Sequence, residues 1–300
     1  EQVNIPIHIC MERGIFAKYG VDVEFKVVPE GTGRMLDLIE SSEVDIALTV
    51  ADATIAGCAK GRSIQLCGTW VQSPLVWAIA GENNESFDEL CNRKTISNEP
   101  LSFGVSRIGS GSHTMAQYAC MLHNQDVKKA KFEVANDFKG LRTGVQEGRF
   151  DAFMWEVFTT KPWFGKKELS YLGEVPTPWP AFVFTTRPTA GSGVTTETPT
   201  LSVEKAMAIR DRLFPALYEG MQVFIAECTV SKQEGEVSPG IQRIMQEFGH
   251  TAADAALWMS RCQYSTDARM SINETQLIKA VEILKQVGIV PEQYKPEELW

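Results

Sequence analysis

No apolar run in the sequence approaches the ~18 residues that a membrane-spanning helix requires. Positive charge is in the minority, with 29 Lys+Arg against 38 Asp+Glu and a formal net charge of −9. Nucleic acid and anionic membrane, which call for clustered basic surface, are therefore not expected as partners. Histidine is scarce, and His8, His113, His123 and His250 offer no H-x-x-x-H spacing, so a metal site has no local support. No C-x-x-C joins any of Cys10, Cys58, Cys67, Cys91, Cys120, Cys228 and Cys262. An odd number of cysteines cannot pair completely within one chain, and free buried thiols suit a reducing compartment. With no basic and apolar leader in view, the expectation is a cytoplasmic protein. Neither a catalytic residue nor a cofactor is indicated by any local motif.

What is present describes a folded α/β protein. The 300 residues, 44% of them apolar and 22% charged, suffice for two domains or two lobes. Residues 6–19 carry apolar positions at helical spacing, closed by Gly20. Val21 to Val28 alternates apolar and charged residues and reads as a strand. A short helix opens at Gly31-Thr-Gly and ends near Ser42. Val44 to Val50 and Ile64 to Val71 read as strands around a helix that Asp52 can cap. The alternation predicts an α/β unit with a mostly parallel sheet.

The pattern restarts after residue 75. Strands are expected at Leu101 to Val105, Phe132 to Ala135, Asp151 to Trp155 and Leu169 to Gly173. Helices are expected at Ser112 to His123 and Phe138 to Glu147. Two extended segments rich in Trp and Pro, near 70–80 and 174–185, bracket this second unit. Paired crossings rather than one linker indicate an insertion. Lobe I is then 1–75 plus 183–300, and lobe II is 76–182. Arg187 to Leu201 reads as an exposed loop. Beyond it come helices from Ser202 to about Cys228, Pro239 to Gly249, Ala252 to Cys262 and Glu274 to Val287, the C-terminal set packing on lobe I.

The strongest site signal is Phe103-Gly-Val-Ser-Arg-Ile-Gly-Ser-Gly-Ser-His-Thr, a strand running into a Gly/Ser loop that opens a helix. Glycines admit a ligand to the backbone, and first-turn N–H groups with serine hydroxyls suit an anion or a polar acceptor. The loop is neither a Walker A loop nor a nucleophile elbow. Ser110, Gly111, Ser112 and His113 are thus candidate ligand contacts, against the plainer reading of a serine helix cap. Thr49 and Asp52 follow a strand end in lobe I, where open α/β sheets place ligands. Asp151-Ala-Phe-Met-Trp-Glu sets Trp155 and Glu156 at another strand end, an aromatic wall beside a carboxylate. Trp70 on a crossing is a further candidate, with Trp77 and Trp179 either lining a cleft or packing the hinge.

Several stretches together resemble a known family. Met11-Glu-Arg-Gly-Ile-Phe-Ala-Lys-Tyr-Gly-Val-Asp-Val-Glu, the following Gly-Thr-Gly, Ser42-Glu-Val-Asp-Ile-Ala and Ala59-Lys-Gly are similar to the N-terminal lobe of type II periplasmic-binding-protein folds. The branch is that of nitrate-, sulfonate- and taurine-binding proteins and of thiamine-pyrimidine-precursor proteins. Gly104-Val-Ser-Arg-Ile-Gly-Ser-Gly-Ser-His, Asn136-Asp-Phe-Lys-Gly-Leu-Arg, Asp151-Ala-Phe-Met-Trp-Glu and Pro176-Thr-Pro-Trp-Pro resemble a narrower subgroup that also occurs in fungi. The resemblance implies two α/β lobes, two hinge strands and a small polar or anionic ligand between the lobes. It also implies an alternative, an enzyme of thiamine-pyrimidine synthesis. Eukaryotic synthases of that kind use a lysine, a histidine and a cysteine-rich run for iron. Thr49 and Ala53 stand at the first two positions here and no Cys-Cys run exists, which argues against iron-dependent, self-consuming synthesis. A non-catalytic solute-binding protein is the expected function.

Overall fold

Chain order and contact density divide the protein into two units, and the computed structural model describes residues 1–189, 199–229 and 236–300. The first unit comprises Glu1–Ser73, Pro180–Glu274 and Glu297–Trp300; the second comprises Pro74–Trp179 and Thr275–Pro296. Residues 275–296, expected with lobe I, therefore group with the second unit.

The first unit opens with helices α1 (Ile5–Glu12) and α2 (Ile15–Lys18). They were expected as one helix, and Gly14 divides them with a left-handed φ of 67°. Next come α3 (Thr32–Glu40), strand β1 (Ile46–Val50), α4 (Ala51–Ala59) and β2 (Gln65–Val71). The second unit then contributes β3 (Val76–Gly81), α5 (Phe87–Ser97), β4 (Ser102–Val105), α6 (Gly111–Leu122), β5 (Lys131–Val134), α7 (Phe138–Gln146), β6 (Ala152–Glu156), α8 (Val157–Gly165) and β7 (Ser170–Pro176). The chain returns through β8 (Phe182–Thr186) to α9 (Val203–Ala208), a π turn at Ile209–Leu213, and α10 (Phe214–Thr229). Helices α11 (Pro239–Phe248), α12 (Ala252–Arg261) and α13 (Glu274–Gln286) complete it.

Two expectations for the first unit are corrected. Val21 to Val28 keeps its alternation, half-buried at Val21, Val23 and Phe25, but forms no ladder among the described residues. Alternation specifies two faces, whereas a strand also needs a hydrogen-bonded neighbour. The sheet is also not mostly parallel: its order is β1-β8-β2, and β8 runs antiparallel to both neighbours. The returning crossing wedges between two strands that share a direction. The outer edge of β2 is covered instead by the distant segments around Met270 and Leu299, whose carbonyls accept from Thr69 N and Leu66 N at 2.8 Å each.

α1 lies against α10 so closely that a Cβ on Gly220 would meet Cys10 Sγ at 2.2 Å and the Pro6 carbonyl oxygen at 2.7 Å. The ends of the expected 187–201 loop are not exposed, for Arg187 and Leu201 are both buried and Thr189 bridges Leu201. Residues 190–198 lie outside the described residues.

The second unit holds a five-stranded mixed sheet of order β5-β4-β6-β3-β7. β4 is parallel to β5 and β6, while β3 is antiparallel to β6 and β7. Ala80, Leu141, Val145, Phe150 and Phe153 form a buried cluster in this unit. Burying a side chain such as Phe153 is worth about 2–3 kcal/mol. The parallel trio directs β4, β5 and β6 to end on one edge of the sheet, and antiparallel β3 starts there. That edge carries the chemistry.

Candidate ligand-binding site

Helices α6, α7 and α8 all begin at this edge of the second unit, immediately after β4, β5 and β6. Each N-terminus exposes backbone N–H donors that no carbonyl within the helix can accept. Two of the three fill that need with a carboxylate of their own. Asp137 caps α7, accepting Gly140 N at 2.7 Å. Glu156 caps α8, one carboxylate oxygen accepting Phe158 N at 3.0 Å and the other Thr159 N at 2.7 Å. The carboxylate expected to orient a ligand is thus spent on a helix.

α6 differs. Its cap is Ser110, a neutral hydroxyl that accepts His113 N at 3.4 Å. Ser112 Oγ accepts Ser106 N at 3.0 Å and lies 2.9 Å from Ser110 Oγ, so three serines interlock around the first turn. His113 Nδ1 accepts Gly109 N at 3.1 Å, which places the ring proton of the neutral imidazole on Nε2. Its ring meets Phe132 edge-on with centroids 4.5 Å apart. Gly109, at φ 78°, occupies a left-handed turn that a β-branched residue would not adopt. His113 therefore fixes the loop, while Gly111 and Ser112 present first-turn N–H donors.

Trp155 is half-buried, its ring 5.5 Å from that of Phe138 and 6.4 Å from that of Trp77. Trp77 is the second residue of β3 and stands opposite Glu156 in the ladder. Its indole N–H is buried and has no hydrogen-bond partner among the described residues. In sequence Trp77 reads only as cleft wall or hinge packing; an unsatisfied donor depends on what surrounds it, which no local pattern encodes. Across the helix face, the Arg142 guanidinium carbon lies 3.2 Å from the centroid of the Trp163 ring. Neither residue was singled out from sequence, since their contact joins two helices.

The remaining candidates belong to the first unit. Thr49 is buried, and its hydroxyl closes a triangle with Thr54 at 2.7 Å and Thr185 at 2.8 Å. Asp52 is buried in the first turn of α4, whose cap position is Val50 rather than Asp52. Trp70 is fully buried, its N–H donating to the Val3 carbonyl at 2.9 Å and its ring set edge-on to Phe184 and Tyr264. It packs the core of that unit. The structure thus gathers Ser110, Gly111, Ser112, His113, Trp155 and Glu156 on one sheet edge of the second unit, while Thr49, Asp52 and Trp70 belong to the first unit.

Comparison with known proteins adds the family context. Residues 77–175, wholly within the second unit, match the family model of Ca3427-like periplasmic binding proteins. The chain resembles the Candida albicans CA3427 gene product, described as exhibiting the generic periplasmic binding protein fold, with TM-score 0.77, 25% identity and coverage of 100% of this chain and 92% of that one. It also resembles the periplasmic aliphatic sulphonate binding protein SsuA of Escherichia coli, with TM-score 0.69, 12% identity and coverage of 100% and 89%. The alkanesulfonate-binding SsuA of Xanthomonas axonopodis pv. citri, bound to MOPS, follows with TM-score 0.68, 10% identity and coverage of 100% and 95%. No curated protein sequence matches the chain. Sheet topology and these likenesses agree that the chain has the periplasmic-binding-protein-like fold, with its second unit similar to the Ca3427-like model.

Proposed function

We infer that the protein is a non-catalytic solute-binding protein that takes a small organic anion, sulfonate-like in its head group, at the N-terminus of α6. One observation carries this reading: of the three helices starting at the sheet edge, α7 and α8 hold the carboxylates of Asp137 and Glu156, whereas α6 holds only serines. The partial positive charge of a helix N-terminus and its spare N–H donors favour an anion. The bacterial SsuA proteins, which share the fold, bind sulfonates by their descriptions, and this supports the choice of head group. A cytoplasmic location is part of the proposal, supported by the seven free cysteines.

Titration calorimetry with ethanesulfonate and inorganic phosphate tests the reading. In Ser110→Asp, a side chain that caps helices as well as serine would place its own carboxylate where the anion belongs. The expected result is an unchanged or raised Tm together with at least tenfold weaker anion binding. Undiminished binding in that variant would refute the site.

A further inference from the structure

The indole N–H of Trp77 is the second unspent donor on this edge of the second unit. Trp77 is 8% exposed, and its Nε1 is buried with no acceptor among the described residues. Leaving such a group unpaired is costly, so native structures normally supply an acceptor. Glu156 stands opposite in the ladder, but its carboxylate oxygens are held by Phe158 N, Thr159 N and Thr159 Oγ1. The neighbouring ring, Trp155, offers no acceptor atom of its own kind, because indole is a donor only.

Position relates this donor to the anion site. In the sheet, β6 lies between β4, which leads into α6, and β3, which begins with Val76 and Trp77. Strand spacing of about 4.8 Å puts β4, whose end leads into α6, and β3 about 10 Å apart, the span of a small molecule rather than of one oxyanion. A second negative charge beside Glu156 would be repelled, so the far acceptor is neutral.

Building on the anion-site reading above, we propose that Trp77 is a ligand-recognition residue, and that the ligand is an organic anion carrying a neutral hydrogen-bond acceptor several bonds from its oxyanion. An amide or ketone carbonyl, a hydroxyl or a ring nitrogen would meet this requirement. The oxyanion sits on the Ser110–Ser112 turn, and the neutral group receives the Trp77 N–H. The site thereby selects bifunctional anions over simple alkyl ones.

Two probes separate the terms: propane-1-sulfonate, with an oxyanion only, and N-acetyltaurine, with a sulfonate and an amide carbonyl. Calorimetry of the intact protein is expected to show N-acetyltaurine binding five- to tenfold tighter, the range of one neutral hydrogen bond. Trp77→Phe, which keeps an aromatic ring and removes the donor, is expected to erase that preference while retaining propane-1-sulfonate binding. A readout on the unaltered protein does not depend on the variant folding. With indole-labelled tryptophan, the Trp77 N–H resonance, one of seven, moves downfield and exchanges more slowly with N-acetyltaurine but not with propane-1-sulfonate.

Equal affinity for the two probes, with the Trp77 resonance unmoved, would overturn the proposal and leave the anion site standing. Binding of neither probe would overturn the anion-site reading and this extension together.

Discussion

The ring of Phe150 occupies the space that any side chain on Gly104 would need. A Cβ there would lie 2.2 Å from Phe150 Cζ, and one on Gly144 would lie 2.4 Å from the same atom. Strand β4 and helix α7 are thus held against one aromatic ring by two glycines. Gly104→Ala is expected to destabilise the protein by about 2–3 kcal/mol through overpacking, measured as a lower urea midpoint. Combining it with Phe150→Leu should recover part of that loss, because the two changes share one space. Additive losses would show that the ring does not set the constraint.

Arg187 is a buried cation whose guanidinium donates to the carbonyls of Ile39 at 2.9 Å and Val44 at 3.1 Å, and to Asp45 at 3.1 Å. It ties the end of β8 to the turn before β1. Arg187→Ala would strand two carbonyls and is expected to cost about 3 kcal/mol or more. Asp45→Asn should cost under about 1 kcal/mol, since that carboxylate is half-exposed. Thermal unfolding of both variants checks the asymmetry.

Burial pushes the thiols of Cys10, Cys58, Cys67, Cys91, Cys120, Cys228 and Cys262 up to about 12. In the unfolded chain they ionise near 9, so between about pH 9 and 12 the unfolded state loses protons that the folded state keeps. Stability is therefore expected to fall as pH rises through that window, and to be insensitive to these groups below it. At pH 8, iodoacetamide should label the native protein slowly at all seven positions and the urea-unfolded protein rapidly, as intact mass would show.

Glu156 as a helix cap has a different signature from Glu156 as a ligand contact. Glu156→Ala is expected to lower stability by about 1 kcal/mol while changing ethanesulfonate affinity by less than twofold. A large affinity loss with an unchanged Tm would reverse the assignment.

Local signals were the legible ones. The Gly/Ser loop before α6 was readable because strand, glycine turn and cap are neighbours in sequence, and Ser110 does cap that helix. Paired Trp- and Pro-bearing crossings are what suggested an inserted second unit in the sequence. Helix α5 went unread although Ser86 and Glu89 form a capping box, a signal present in the sequence. Helix α8 was obscured by Pro162 in its interior. Val21 to Val28 misled because period-two burial does not say whether a partner strand lies alongside. Trp70 and Trp77 look alike in sequence, each on an extended crossing. Only the fold distinguishes them, since Val3 supplies one indole with an acceptor and no described residue supplies the other.

The place of β8 between β1 and β2 bears on the order of events at the ribosome. β1 and β2 are synthesised early, but neither pairs with the other, and the strand that joins them emerges only after Trp179. The sheet of the second unit, β3 through β7, is by then complete in sequence and free to form. The first half of the other unit must wait as a held, unpaired chain, exposed to the hazards that delayed long-range pairing brings. The protein would thus fold from its second unit outward, with β1 and β2 among the last strands to find their sheet.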